Sequence, residues 1–248
     1  MNNNKCNIIR GGKNFYGQPI GILMCDLKVP RLPGDIGNAF TFDFPVRYKV
    51  VRGASAKRVI LDPDPTILKT LIDAAQELEA EGVRAITTSC GYLVWFQKEI
   101  ADSVNIPVIT SSLIQVPMVA RMLRSDKKIG ILVADSRTLS PDHLKSAGIG
   151  DIPVVIKGSE NTPAFYNTFP TGGETLDYLA CREGVVEMVR SLLGEHPEVG
   201  AIVCEGTNFA LFRSDIIAAT GIPFFDIVTL TRMVYQSIAP IPLPQGYM

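Results

Sequence analysis

The segment Pro19-Ile-Gly-Ile-Leu-Met-Cys-Asp26 decides the fold, because the chain repeats it as Lys128-Ile-Gly-Ile-Leu-Val-Ala-Asp135. Five of the eight positions are identical in the two segments. Each segment is a short apolar run that ends on a carboxylate, which is typical of a buried strand in a parallel sheet. The repeat therefore predicts two similar halves, each with such a strand.

A second pair of segments repeats at a constant offset. Val83-Arg-Ala-Ile86 returns as Val199-Gly-Ala-Ile202, and each is followed by a polar turn, a helix-like run and an Ile-Pro step. Convergence among valine- and isoleucine-rich strands is the alternative explanation. A match that runs without a gap through strand, helix and next strand favours a duplicated half instead.

Strand and helix patterns alternate in both halves. In the first half, strands are predicted at 20–24, 83–87 and 106–109, with an amphipathic helix at 66–78. In the second half, strands are predicted at 129–134, 154–157 and 201–204, with helices near 140–147 and 174–193. This alternation predicts an α/β fold of parallel sheets covered by helices. We assign residues 1–125 plus 225–248 to a first lobe and 126–224 to a second.

The composition excludes several classes of protein. The 248 residues carry a net charge of -1 and no basic run, so neither nucleic acid nor an anionic membrane is an expected partner. The sequence contains no membrane-spanning run, no secretory signal, no nucleotide-binding glycine motif and no cluster of metal ligands. The five cysteines lack the CxxC spacing of zinc sites, which favours reduced thiols in a cytoplasmic protein.

The turn Thr87-Thr88-Ser89-Cys90-Gly91-Tyr92 directly follows a predicted strand. Ligands of parallel α/β sheets bind beyond the carboxyl ends of the strands. A helix that starts there stabilises a carboxylate and raises the thiolate fraction of a nearby cysteine. The alternative is that Cys90 is a small buried residue. We predict Cys90 as a catalytic thiol, with substrate contacts from Thr88, Ser89, Gly91 and Tyr92.

Two further polar turns follow predicted strands. The turn Val203-Cys204-Glu205-Gly206-Thr207-Asn208 matches the Cys90 turn in the internal repeat, and Thr110-Ser111-Ser112 follows the strand at 106–109. We predict substrate contacts from Ser111, Gly206, Thr207 and Asn208. Capping of the following helices is the alternative role for their side chains.

These motifs resemble the Asp/Glu/hydantoin racemase superfamily, and more narrowly a bacterial branch called the aspartate/glutamate racemase family. The matching residues are Thr87–Gly91, Thr110–Ser112 with Gln115–Pro117, Glu205-x-Thr207-Asn208 and Thr220–Pro223 with Asp226-Ile227. The resemblance covers nearly the whole chain. It implies two Rossmann-like lobes related by a pseudo-twofold axis, and an isomerase of the amino-acid racemase type that needs no cofactor.

In such racemases two cysteines, one from each lobe, act on the α-carbon of a small carboxylic acid. One thiolate removes the α-proton and the other thiol returns a proton on the opposite face, because inversion requires an acid and a base on opposite sides. We expect a small carboxylic acid as the substrate. A symmetric homodimer is expected because twofold dimers are the commonest oligomers.

One departure from the family pattern leaves three functions open. Gly206 stands where the second cysteine is expected, and Cys204 lies two residues earlier, deeper along the strand. Cys204 is a weaker candidate for the second thiol. The chain is then a racemase with another proton donor, a single-cysteine lyase similar to arylmalonate decarboxylase, or a small-acid binding protein without turnover.

The stretch 26–62 is long for a connection inside a compact domain, and such loops are often functional. It leaves the carboxyl end of a predicted strand, so we expect either a lid over the cleft or a subunit contact. Arg31 or Arg47 would then bind a substrate carboxylate. The alternation of Phe40, Phe42 and Phe44 is typical of a β-hairpin arm.

Overall fold

Two four-stranded parallel sheets form the core of the protein, whose computed structural model describes residues 11–13 and 16–239. The first sheet has the order β2-β1-β3-β4 and consists of β1 (Ile20–Cys25), β2 (Val46–Val51), β3 (Ala85–Thr88) and β4 (Val108–Ile109). The second has the order β6-β5-β7-β8 and consists of β5 (Lys128–Val133), β6 (Val154–Gly158), β7 (Val199–Cys204) and β8 (Phe224–Phe225). Because the two orders are equivalent, the predicted pair of parallel α/β lobes is confirmed.

Helices cover both sheets. In the described residues these are α1 (Leu68–Glu81), α2 (Gln97–Asp102), α3 (Val116–Met122), α4 (Pro141–Ser146), α5 (Pro163–Tyr166), α6 (Tyr178–Glu195), α7 (Arg213–Thr220) and α8 (Ile227–Ile238). Two 3-10 helices matter for the site: Gly91–Phe96 follows β3, and Thr207–Phe212 follows β7. Across the described ranges, no helix combines the length and the apolar character that a membrane crossing requires.

Helix α1 shows how local sequence sets an element. Asp64 caps a short 3-10 turn by accepting the N–H of Thr66 at 2.9 Å, and α1 continues from that turn. The helix ends at Gly82, whose φ of 107° lies in the left-handed region that glycine adopts without strain. Its buried face, with Leu71 and Leu78, packs against the first sheet.

The stretch 26–62 contains a strand that the sequence analysis missed. Strand β2 pairs in parallel with β1, and Arg47 lies near the amino end of the sheet, in an ion pair with Glu81. Since ligands bind at the carboxyl ends of such strands, Arg47 is at the wrong end to bind the substrate. The phenylalanines do not form a hairpin arm either: Phe44 is buried and stacks on Tyr235 at 3.7 Å between ring centroids.

The last described helix returns to the first sheet. Ile227 and Leu230 of α8 are buried in one cluster with Ile20 and Ile22 of β1. The division into lobes 1–125 plus 225–248 and 126–224 stays a prediction, and its segments 1–10, 14–15 and 240–248 lie outside the described residues.

Candidate active site

The two predicted site turns meet between the lobes. Cys90 lies two residues after the end of β3 and is the N-cap of the 3-10 helix Gly91–Phe96. Gly206 caps the equivalent 3-10 helix after β7. The hydroxyl of Thr207 donates to the backbone oxygen of Ser89 at 2.8 Å, so the second lobe contacts the Cys90 turn directly.

A small cavity lies where these turns meet. Its lining includes six of the predicted site residues: Ser89, Cys90, Gly91, Gly206, Thr207 and Asn208. The remaining lining residues are Leu27, Ile60, Ala134, Phe165, Phe169, Pro170 and Glu205. The cavity has about 20 Å³ of space for the centre of a water molecule, which is room for about one water. A cavity of this size is closed to a carboxylic acid, so the turns that form it must separate to admit one.

Three predicted contact residues lie behind the cavity wall. The hydroxyl of Thr88 donates to the backbone oxygen of Thr110 at 2.6 Å, and that of Tyr92 to the backbone oxygen of Asp135 at 2.5 Å. The Ser111 hydroxyl accepts the N–H of Leu113 at 3.2 Å, as an N-cap does. These side chains stabilise the turns through hydrogen bonds to the backbone, and none of them lines the cavity.

Asn208 and Arg31 were predicted to bind a substrate, but their side chains bind another residue of the protein, Asp35. Asn208 donates to a carboxylate oxygen of Asp35 at 2.6 Å. Asp35 is fully buried and also binds Arg31 at 2.7 Å. Arg31 is thus paired within its own loop and does not line the cavity, and together with Asn208 it fixes the loop against the second lobe.

Among the residues that the structure describes, Cys90 is the one cysteine that lines the cavity. A Cβ atom on Gly206 would lie 2.8 Å from the ring of Phe209, so the phenylalanine occupies the space that a cysteine side chain needs. Cys204 is fully buried in the apolar core of the second lobe, together with Phe209 and Phe212. Burial raises its pKa well above the ordinary value. The predicted catalytic role of Cys204 is disfavoured by this position.

Cys90 itself is 5% exposed and lies beside Cys25. Leu23 and Thr88 are register partners in β1 and β3, and the two cysteines each lie two residues further along. A hydrogen bond with Cys25, together with burial and the nearby Glu205, raises the pKa of Cys90 well above its ordinary value. In the closed, empty cavity Cys90 is therefore a thiol, and a positive charge nearby would stabilise its thiolate.

Glu205 is the main residue that the site prediction omitted. It is 1% exposed, and a carboxylate oxygen accepts the N–H of Ala134 at 3.1 Å. Burial raises its pKa to about 8, although the backbone N–H groups of Ala134 and Tyr92 partly offset the effect. Its position directly after a strand was the available signal, since the same rule selected Cys90. The sequence could not show that Glu205 is buried and that no cation of the described residues pairs with it.

The cavity wall also contains aromatic rings that were not predicted. Phe165 and Phe169 belong to the segment that follows β6, and their ring centroids lie 4.9 Å apart. Phe165 stacks on Phe209 at 4.3 Å, so the rings form a continuous apolar wall with Leu27 and Ile60. The strand-end rule would have selected this segment, but its apolar residues gave no chemical signal.

This arrangement is suited to proton removal from one face of a substrate. Within the described part of the chain, Cys90 is the one thiol in the cavity lining, and Glu205 is the one carboxyl. Within residues 11–13 and 16–239, no cluster of three or more metal-ligating side chains is present. Inversion requires groups on both faces, whereas an elimination needs one base and a decarboxylation needs one acid, each on one face of the substrate.

The relatives of known function are lyases. The chain is 33% identical over 222 residues to a dimethylsulfoniopropionate lyase of Durusdinium sp. clade D, which covers 87% of this chain and 73% of the relative. It is 28% identical to dimethylsulfoniopropionate lyase 3 of Emiliania huxleyi, over 90% of this chain. The chain spans 60% of that relative's length. No family model matches the chain.

Solved structures with the same fold are racemases and a decarboxylase. An allantoin racemase from Pseudomonas fluorescens has a TM-score of 0.60 at 16% identity, over 88% of this chain and 90% of that one. An arylmalonate decarboxylase has a TM-score of 0.55 at 12% identity, over 92% of this chain and 97% of that one. At these identities the likeness concerns the fold alone. The resemblance to the Asp/Glu/hydantoin racemase superfamily is confirmed at that level.

The prediction of an amino-acid racemase is wrong. The named relatives are lyases, so isomerisation as the main activity is contradicted, while the alternative of a single-cysteine lyase fits better. The physical reason lies in the second lobe, where Gly206 and the ring of Phe209 leave no place for a second thiol. The comparisons support an enzyme with the racemase fold whose chemistry differs from racemisation.

Proposed function

Since this chain belongs to the dimethylsulfoniopropionate lyase family, we propose that it is a lyase that splits dimethylsulfoniopropionate, or a closely related β-sulfonium acid, by β-elimination. The observation that carries the proposal is the single thiol in the cavity. Cys90 lines the cavity together with Gly206 and Glu205, and no other cysteine of the described residues lines it. An elimination needs one base on one face of the substrate, which matches this arrangement.

The reaction assigns one step to Cys90. Its thiolate removes a proton from the carbon next to the carboxylate, and the electron pair of that C–H bond forms the new double bond. The C–S bond breaks, and its electron pair leaves with dimethyl sulfide. The products are acrylate, dimethyl sulfide and the proton on Cys90, which returns to solvent when the cavity opens.

The protein's other contribution is to position the acid and to exclude water. Gly91, Gly206 and Thr207 line the cavity at the start of the two 3-10 helices, and backbone N–H groups at such positions are suited to a carboxylate. Hydrogen bonds to that carboxylate stabilise the charge that develops when the α-proton leaves. The contacts Thr207–Ser89 and Asn208–Asp35 hold the lobes together around the substrate.

The direct test is product formation from dimethylsulfoniopropionate. We expect dimethyl sulfide in the headspace by gas chromatography and an equal amount of acrylate by NMR. Cys90→Ala should lower kcat by about 10²–10⁴-fold, the usual contribution of a general base. Cys181→Ala is the matched control, because Cys181 is equally buried but lies in α6 away from the cavity. Turnover that survives in Cys90→Ala, or no product from the wild-type protein, would refute the proposal.

Decarboxylation is the second candidate, because a decarboxylase also needs one thiol and an apolar wall such as that of Phe165 and Phe169. The same preparation is incubated with a 2-aryl-malonate, and carbon dioxide is measured. Carbon dioxide release without dimethyl sulfide from the first substrate would favour this candidate. A rise in melting temperature with either acid and no product would indicate a binding protein.

A further inference from the structure

The cavity contains a buried carboxyl without a counter-charge. Glu205 is 1% exposed, and none of the ion pairs in the described part of the chain includes it. The titratable groups that interact with its charge are Cys90, Tyr92 and Cys204, and none of these is a cation. Buried charges in proteins are normally paired, and a cationic ligand would supply the partner of this carboxyl.

The position of the carboxyl is fixed by close packing. A Cβ atom on Gly91 would lie 2.7 Å from Oε1 of Glu205, so only glycine allows the carboxyl to lie against the Cys90 turn. On its other side the carboxyl accepts the N–H of Ala134. The group is held at the cavity, beside the thiol that we place in the reaction, and cannot rotate into solvent while the lobes are closed.

The rest of the wall suits a cation that carries no hydrogen-bond donor. Phe165 and Phe169 line the cavity and are 1% and 3% exposed, and Leu27, Ile60 and Pro170 complete an apolar surface. Aromatic rings attract onium cations through their negative faces, and apolar surface packs against methyl groups. A lysine-like ammonium would need hydrogen-bond acceptors on several sides, and these five side chains carry none.

We propose that Glu205, with the rings of Phe165 and Phe169, forms a subsite for an onium cation, so that the enzyme selects acids with a sulfonium or quaternary ammonium group on the β-carbon. This inference rests on the proposed elimination for its choice of acid. Glu205 supplies the counter-charge, and the rings contact the methyl groups. A cation at this place also stabilises the Cys90 thiolate, since opposite charges nearby favour the ionised form.

The subsite has a thermodynamic consequence that does not depend on turnover. Without ligand, the pKa of Glu205 is about 8, so the carboxyl is mostly protonated at pH 7. A bound cation favours the ionised form, and the carboxyl then releases its proton. Binding of an onium acid at pH 7 should therefore release close to one proton, whereas a neutral acid of the same shape should release none.

Two probes of equal shape test this. One is 3-(trimethylammonio)propionate, and the other is 4,4-dimethylpentanoate, in which carbon replaces the charged nitrogen. Calorimetric titrations at pH 7 in phosphate and in Tris give the affinity and the number of protons released. We expect the wild-type protein to bind the ammonium acid at least tenfold more tightly and to release a proton only with that probe.

Variants of the carboxyl complete the test. In Glu205→Gln the preference should fall to within about twofold and the number of protons released should fall by close to one, while Glu205→Asp should keep part of both. Glu183→Gln is the control, since its side chain is 74% exposed on α6, and it should behave as the wild type. Equal binding of the two probes by the wild type, or an unchanged preference in Glu205→Gln, would overturn the subsite.

Failure of the subsite is distinguishable from failure of the proposed lyase activity. Dimethyl sulfide release without charge discrimination between the probes would leave the elimination standing and remove the role of Glu205. Charge discrimination without dimethyl sulfide release would support the onium subsite in a protein with a different activity.

Discussion

Replacing Glu205 with glutamine should change how the stability of the protein depends on pH. The buried carboxyl has a pKa of about 8 in the folded protein, against an ordinary value of 4.5. The folded state therefore binds more protons than the unfolded state between these two values. Stability decreases as pH rises wherever the folded state binds more protons, so Glu205 lowers the free energy of unfolding progressively from about pH 4.5 to about pH 8.

The expected magnitude follows from the two pKa values. Each tenfold change in proton affinity corresponds to about 1.4 kcal/mol, so the difference between 4.5 and about 8 costs up to about 5 kcal/mol at high pH. Between pH 5.5 and pH 8 the loss is about 3 kcal/mol. The glutamine side chain does not titrate and can still accept the N–H of Ala134, so Glu205→Gln should avoid this loss.

Urea unfolding at pH 5.5 and pH 8 measures the effect. The quantity of interest is the change in free energy of unfolding of the wild type between the two pH values, minus the same change in Glu205→Gln. The other titratable groups are the same in both proteins, so their contributions cancel in this difference to first order. Glu183→Gln should match the wild type because its side chain is exposed. A difference under about 0.5 kcal/mol for Glu205→Gln, or one of opposite sign, would show that the carboxyl is ionised in the closed cavity.

Three other substitutions test the packing of the site. Cys204→Ala should lower the free energy of unfolding, measured in urea, by about 1–2 kcal/mol. Its kcat for elimination should stay within about twofold of the wild type. A loss of kcat comparable to that of Cys90→Ala would restore Cys204 as a catalytic thiol. Gly206→Cys should destabilise the protein by about 1–3 kcal/mol, because Phe209 occupies the space for the side chain, and a fully stable variant that racemises an amino acid would contradict this. Gly91→Ala should cost about 3 kcal/mol or more, because its Cβ would lie less than 3.0 Å from the backbone oxygen of Glu205; wild-type thermal stability would show that this contact is looser.

The local sequence pattern was sufficient to predict an element whose hydrophobic periodicity is complete within a short segment. The apolar run that became β1 and the stripe that became α1 were both recognised, because a buried strand and an amphipathic helix have characteristic periods. Strand β2 was missed because its segment has no such pattern. Its segment Val-Arg-Tyr-Lys-Val-Val is half-buried at the edge of the sheet, and it is a strand because β1 pairs with it.

The candidate site divides in a similar way. The strand-end rule placed Cys90 and Gly206 at one cavity, because the carboxyl ends of parallel strands in two similar lobes face each other. It also assigned substrate contacts to Thr88, Tyr92 and Ser111, whose hydroxyls bind the protein's own backbone. A turn in the sequence shows which groups are available, and the packing around it decides which of them remain unbound.

The sequence by itself determined the duplicated α/β architecture and placed Cys90 in the turn after a strand, since both follow from short-range periodicity and from the repeat. Only the tertiary structure decided that, within residues 11–13 and 16–239, the cavity contains no second thiol and Glu205 is buried without a cation. The physical reason is that a pKa depends on burial and on neighbouring charges. The neighbours of Glu205 come from segments as distant in the chain as Gly91, Ala134 and Phe165, which meet only when the lobes close.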